Sequence, residues 1–319
     1  MPTPTTRPLR FGIQLQAQRT SWPDFLEAVR AVDTLGFDTL WNFDHLLPFA
    51  GPDDGACLET WTTLAALAAC TSRVRLGALV NGVLYRDPAT LAKSAVTVDH
   101  ISGGRLEFAL GAAWAEREFH AYGLPYPPVG ERMARLEEAL EIVRALWTQP
   151  RTSYQGRYYT INDAPCEPKP LQQPYPPIMV GGNGRRTLRI AAKHATIWNG
   201  IGSPATCAEA IATLRASCAE IGRDPAEIEL SAHPILSIAP THEQALRNAQ
   251  AAARANGAEL PDDHSGMLLG TPQEIIAQLR RYQEVGITHW IMGIGHPFDL
   301  PGLELFAREV IPALRQGQQ

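Results

Sequence analysis

No stretch of the 319 residues approaches the roughly 20 uninterrupted apolar positions that a membrane-spanning helix needs. The opening MPTPTTRPLR has no apolar h-region, so neither membrane insertion nor export is expected. Cysteine is scarce: five, at 57, 70, 166, 207 and 218, with no C-x-x-C pair. An odd number without that spacing excludes a disulfide framework and reads as reduced packing residues in a cytoplasmic protein. No block of Lys or Arg is present and the net charge is −5, which excludes a nucleic-acid partner of the usual basic kind. The nine histidines show no H-x-H or H-E-x-x-H spacing, so no metal is expected. There is no G-x-S-x-G and no G-x-x-x-x-G-K-[ST], which argues against a nucleophile-elbow hydrolase and a P-loop enzyme.

What is present is an ordinary globular composition, 45% apolar and 19% charged, with length for a large core. Residues 76–114 set the rhythm. Val74–Val80 is apolar almost throughout, as a strand buried on both faces must be. Asp87-Pro88 starts a helix with a capping oxygen and a preset φ, Gly103-Gly104 ends it, and Leu106–Leu110 begins another apolar strand. The unit recurs. Strands are expected at 9–16, 37–43, 178–180, 196–198, near 228–238 and near 288–294, with Ser21 and Asp24 capping the first helix and helices in between. Thr152–Ile161, around Gln155-Gly156, reads as a small hairpin inserted before the fifth strand. Eight strands and eight helices predict one α/β domain over 1–319, a closed (β/α)8 TIM barrel.

In such a barrel the chemistry lies at the C-terminal ends of the strands. That rule selects Asp44 and His45 after the second strand, and Leu79, Val80 and Asn81 after the third. It selects Trp114 after the fourth, Gly181, Gly182, Asn183 and Gly184 after the fifth, and Trp198 and Asn199 after the sixth. His45 suits proton transfer, since an imidazole can take or give a proton alongside a hydride, or else it only orders its loop. The glycine turn at 181–184 suits a phosphate, since backbone N–H groups can approach an anion at a helix start; otherwise it is a tight turn. Trp41 and Trp114 line a substrate pocket or pack the barrel. Glu116–Glu118 reads as a solvated charged face.

Six segments carry a resemblance: WNFDH (41–45), LVNGVLYRDP (79–88), DHISGGRLE (99–107), GAAW (111–114), PPIMVGGNGRRTLRIAAKHATIWN (176–199) and GTPQEIIAQLRRYQEVGITHWIM (270–292). In this order and spacing the chain resembles the luciferase-like monooxygenase superfamily, in its branch of oxidoreductases that use the deazaflavin F420. The resemblance implies hydride transfer between F420 and a small organic substrate, with His45 as acid/base and Asp44 against the cofactor ring. It implies a non-prolyl cis peptide at Leu79-Val80 behind the ring, a ring-edge hydrogen bond from Asn81, and the phosphate near Gly181–Gly184. It also implies a homodimer. Where relatives carry Gly-x-Gly-Trp, this chain has Gly111-Ala112-Ala113-Trp114. Two other readings stand beside it: an FMN-dependent monooxygenase served by a separate flavin reductase, and a cofactor-binding protein without turnover.

Overall fold

A computed structural model describes residues 7–316. The chain begins β1 (Arg10–Leu15), α1 (Trp22–Thr34), β2 (Thr39–Asn42), α2 (Thr60–Cys70), β3 (Arg75–Ala78), β4 (Asn81–Gly82) and α3 (Pro88–Ser102). Next come β5 (Phe108–Gly111), α4 (Glu116–Ala121), α5 (Val129–Thr148), and the hairpin strands β6 (Thr152–Gln155) and β7 (Thr160–Ala164). Then follow β8 (Ile178–Gly181), α6 (Arg185–His194), β9 (Ile197–Gly200), α7 (Pro204–Glu220), β10 (Glu229–Ala232) and β11 (Ile235–Ile238). The chain closes with α8 (His242–Ala255), β12 (Met267–Gly270), α9 (Pro272–Glu284), β13 (His289–Ile294), α10 (Leu300–Leu305) and α11 (Ile311–Gln316). Among the described residues no helix is long and apolar enough to cross a membrane.

Local chemistry sets the helix ends as the sequence predicts. Ser21 accepts from the Asp24 N–H at the start of α1. Asp87 accepts from Ala89 and Thr90, with Pro88 at the first position of α3. Gly103, at φ 68°, closes that helix in the left-handed conformation.

All sheet pairings but the hairpin are parallel, in the order β3-β2-β1-β13-β10-β9-β8-β5-β4. The ring is completed because β3 and β4 are two halves of one barrel strand: Leu76 bridges Leu106 below, and β4 pairs β5 above. The result is a nearly closed (β/α)8 barrel with the 152–164 hairpin inserted before β8, as expected from the sequence.

Two strand expectations need correction. The run expected at 228–238 is two strands, because Pro234 lacks an N–H and breaks the ladder after His233. The second half, β11, swings outward to pair β12, a strand absent from the sequence reading. Four residues, MLLG, are too few to show a period.

The core has two shells. Inside the barrel lie Trp41, Leu79, Ala109, Met179, Ile197 and Ile291. A larger layer, with Trp147, Trp198 and Trp290 among its fully buried side chains, fills the space between strands and helices.

At the N-terminal end of the barrel the strands are joined by charge. Glu107, 1% exposed, accepts from Arg10 of β1 and from Arg75 Nε of β3 at 2.6 Å. Arg10 also reaches Glu229 of β10 at 3.0 Å, and His289 Nδ1 of β13 lies 2.9 Å from the same carboxylate. Burial alone would raise the pKa of both acids, but the neighbouring cations outweigh it: Glu107 is lowered, and Glu229 falls to about 2. Both values are depressed, so this stabilisation is complete above the ordinary glutamate pKa of ~4.3. It drains away as pH falls toward 2. Glu107→Ala would leave two arginines facing a buried gap and should cost about 3–5 kcal/mol. Urea titration at neutral pH tests this; a loss below ~1 kcal/mol would mean that solvent replaces the carboxylate.

Candidate active site

The C-terminal strand ends surround a cavity of about 500 Å³, a size typical of small-molecule sites. Its wall includes Gln14 of β1, Asp44 and His45 after β2, Leu79 and Val80 after β3, and the 111–114 segment after β5. Gly181 and Gly182 at the end of β8, Asn199 of β9 and His233 after β10 complete it.

His45 does not stand alone. Its Nδ1 lies 2.6 Å from Glu118 Oε1. The other oxygen, Oε2, accepts from the Leu46 N–H at 2.7 Å and the Tyr85 hydroxyl at 2.9 Å. Glu118 is fully buried. Burial would raise its pKa, but the hydrogen bonds from His45, Leu46 and Tyr85 hold it lowered. An ionised Glu118 can only accept, so His45 carries its proton on Nδ1, leaving Nε2 free for chemistry. Tyr85 is raised by burial and by the same carboxylate, and stays protonated. The solvated-face reading of Glu118 is therefore wrong. Glu116 and Arg117 are exposed while Glu118 turns inward on the short helix α4, and a three-residue charge run carries no sign of which member does so.

Asp44 is equally committed. Both oxygens accept from Arg86 Nη1 at 2.9 Å, and Oδ2 also takes the Gly82 N–H at 2.9 Å. Arg86 passes on to Glu59, whose carboxylate caps α2. The Asp44 charge at the cavity floor is thus already neutralised by a neighbouring cation.

The Leu79–Val80 peptide is cis and non-prolyl. The Leu79 carbonyl accepts from Gln14 Nε2 at 3.0 Å, and Gln14 Oε1 lies 3.0 Å from His233 Nε2. A Gln14 amide that donates to Leu79 must accept from His233, so His233 carries its proton on Nε2. Burial pushes its pKa down to about 4, which keeps it neutral. The expected strand runs through His233; ending it at Ala232 places His233 at a strand mouth, on the same cavity as His45. Val80 sits between Gly111 and Gly181, where an added Cβ would come within 2.6 Å and 3.0 Å of its methyls. These two glycines make the room that the bulge fills.

The glycine turn has the features of an anion cradle. Gly182 has φ +120°, a region that L side chains rarely adopt. α1, α2, α3, α7, α8 and α9 each have a capping side-chain oxygen, whereas α6 starts at Gly184 with none. The first amides of α6 therefore face outward without a protein acceptor among the described residues. Asn183 locks the turn from outside by bonding the Ile201 carbonyl at 2.6 Å and its N–H at 3.2 Å. Trp198 is fully buried behind it and donates to the Gly182 carbonyl at 3.0 Å. Trp198 and Asn183 thus hold the cradle without lining the cavity, while Asn199 lines it and donates to Ser231 at 3.0 Å.

The remaining candidates divide. Trp114 lines the cavity, 63% exposed, with its ring edge-on to His45 at 5.3 Å. It follows Ala113, which takes a left-handed backbone, φ 61°; the Ala113 carbonyl accepts from Arg132. Trp41 is no pocket residue: it is fully buried inside the barrel and donates to Thr39 at 2.9 Å. Asn81 also falls outside the cavity. Its amide is engaged at both ends, the oxygen accepting from Trp61 at 2.8 Å and the nitrogen donating to the Ala109 carbonyl at 2.7 Å. Away from the site, Glu137, Glu141 and His194 bring possible metal ligands within 4.8 Å of one another. Lys193 already pairs with the two carboxylates there, at 2.9 and 3.0 Å.

Comparison with known proteins agrees with this architecture. The chain is 26% identical over 333 residues to an F420-dependent glucose-6-phosphate dehydrogenase of Amycolatopsis mediterranei, covering 96% of this chain and 99% of that one. It is 27% identical over 337 residues to the FMNH2-dependent dimethylsulfone monooxygenase of Pseudomonas putida, covering 95% and 91%. The solved structure of an F420-dependent secondary alcohol dehydrogenase superposes with a TM-score of 0.82 over 97% of this chain and 99% of that one, at 22% identity. The luciferase-like monooxygenase family model matches residues 6–266, and the chain belongs to that family.

Proposed function

We propose that this protein is an oxidoreductase that moves a hydride between F420 and a small organic substrate, with His45 handling the accompanying proton. The observation that carries the reading is the His45–Glu118 pair at the mouth of the cavity. A deazaflavin bound there would supply the carbon that gives or takes the hydride. The residues present fit such a group: an apolar bulge at Leu79–Val80, walls thinned to glycine at 111 and 181, and an uncapped helix start beyond Gly182.

Each residue has a distinct task. Glu118 fixes the His45 tautomer and steadies the imidazolium when Nε2 takes a proton. Tyr85 and the Leu46 N–H keep Glu118 ionised. Gln14 fixes the Leu79 carbonyl, and so the bulge against which a ring would lie. Gly182 and the first turn of α6 would receive the phosphate, with Trp198 and Asn183 as supports. Asp44, neutralised by Arg86, would present a polar but nearly uncharged floor.

The FMN-dependent monooxygenase reading is favoured by the Pseudomonas putida relative; it would call for a flavin reductase as partner. Arg185 speaks for the deazaflavin, whose tail is acidic: it is exposed at the start of α6 and has no protein partner among the described residues, whereas Arg186 is tied to the Gly130 carbonyl at 2.8 Å. A non-catalytic carrier would have no use for the Glu118 arrangement.

Titration of the purified protein with both cofactors tests the reading. F420 should bind at least about tenfold tighter than FMN, a difference of ~1.4 kcal/mol; equal or reversed affinities would promote the monooxygenase. Gly182→Val should still fold, since an added Cβ meets only Thr187, at 3.5 Å, and the strain of a side chain at φ +120° is confined to the turn. It should weaken the preferred cofactor by about tenfold or more, because a β-branched residue resists φ +120°. Unchanged affinity in this folded variant would move the phosphate elsewhere. His45→Ala should leave cofactor affinity within a few-fold and lower kcat by ~10²–10⁴. Near-normal turnover would reduce His45 to a loop support.

A further inference from the structure

Beside the ring cavity lies a second one of about 440 Å³, between β11, α8 and the end of β13. The two are neighbours, with Gln16 and Phe49 forming part of the wall of both. This shared edge is ordered. The Phe49 N–H donates to Gln18 Oε1 at 3.0 Å, and Gln18 Nε2 donates to Asn256 at 3.3 Å. The loop carrying Phe49 is pinned from outside, with Arg117 on the Pro48 carbonyl and Arg19 on those of Ala50 and Pro52.

The chemistry of the second cavity differs from that of the first. Ile235, Leu260 and Met267 line it, and α8 presents alanines to it, so the space is mostly apolar, with Ser237, Asn248 and Asn256 as its uncharged polar members besides Gln16. Ile235 is 49% exposed although it sits in a sheet strand. No Lys, Arg or His lines this cavity, whereas Glu259 and Asp299 do. A phosphorylated or carboxylated ligand would meet repulsion and no compensating cation. An uncharged hydrocarbon segment would bury apolar surface there at no such cost.

We infer that the second cavity receives the uncharged, aliphatic arm of an elongated substrate whose reacting carbon lies beside His45, the arm crossing at Phe49 and Gln16. This rests on the functional reading above for which end reacts. It goes beyond that reading in assigning the substrate class: a lipid-like alcohol, ketone or aldehyde in place of a sugar phosphate or other anionic metabolite.

The test is a chain-length series, butan-2-ol to dodecan-2-ol, titrated calorimetrically into the full chain loaded with whichever cofactor binds. Affinity should rise about fourfold per added methylene through the middle of the series and then level off. Ile235→Trp, which fills the second cavity, should bring the plateau at a shorter chain, with butan-2-ol and cofactor affinities within about twofold of wild type. Ala251→Phe, on the exposed face of α8 that borders the cavity, provides the same block by an independent route should Ile235→Trp fold poorly. A flat length profile in the wild type would overturn the inference, as would folded blocking variants with the wild-type profile. Failure of cofactor binding would instead strike the functional reading, since the length profile can also be measured without cofactor.

Discussion

A single buried carboxylate holds the barrel shut. Glu107 stands just before β5 and accepts from β1 through Arg10 and from β3 through Arg75. β3 and β5 are the strands where the ring must close, and between them the ladder is reduced to the Leu76–Leu106 bridge. Backbone pairing is thin there, and charge adds a second tie. The site depends on that closure. Val80 can sit between Gly111 and Gly181 only because β3, β5 and β8 arrive at their upper ends in register.

The two ends of the barrel use polar groups in opposite ways. At the base, charged side chains are paired with one another across strands, and burial makes their mutual attraction strong. At the mouth, the two histidines are each held at one atom and left open at another. His45 is fixed through Nδ1 and His233 through Nε2, so each imidazole keeps one nitrogen uncommitted. Both histidines are placed by acceptors that act on one side only. Such placement fixes the orientation of a group without consuming its reactivity.

Much of the fold was legible because its signals are local. Asp87-Pro88 and Gly103 bound α3 by backbone chemistry that needs no tertiary context. The apolar strand ends point to Asp44, His45, Val80, Gly181 and Gly182, and all of these meet at one cavity. What escaped reading depends on contacts distant in sequence. Glu118 differs from Glu116 only in what it faces, 73 residues away at His45. Asn81 has the position of a ring contact, but Trp61 and Ala109 occupy its amide. Trp41 ends up inside the barrel because β2 alternates its faces, which the motif around it does not reveal. His233 was hidden by Pro234, which splits a strand that apolar composition alone makes continuous.

The left-handed Ala113 has a consequence for the residue that follows it. Trp114 is mostly in solvent, and an aromatic ring in that setting ordinarily samples several orientations. Glycine at 113 would enter the left-handed well easily and leave it as easily. Alanine enters at some cost, but with far fewer neighbouring wells to visit, and Arg132 clamps the carbonyl once it is there. The methyl group thus acts as a ratchet on the backbone. The backbone that carries the Trp114 ring is thereby held in place, and the ring, edge-on to His45 at 5.3 Å, narrows the outline of the aperture through which the imidazole is reached.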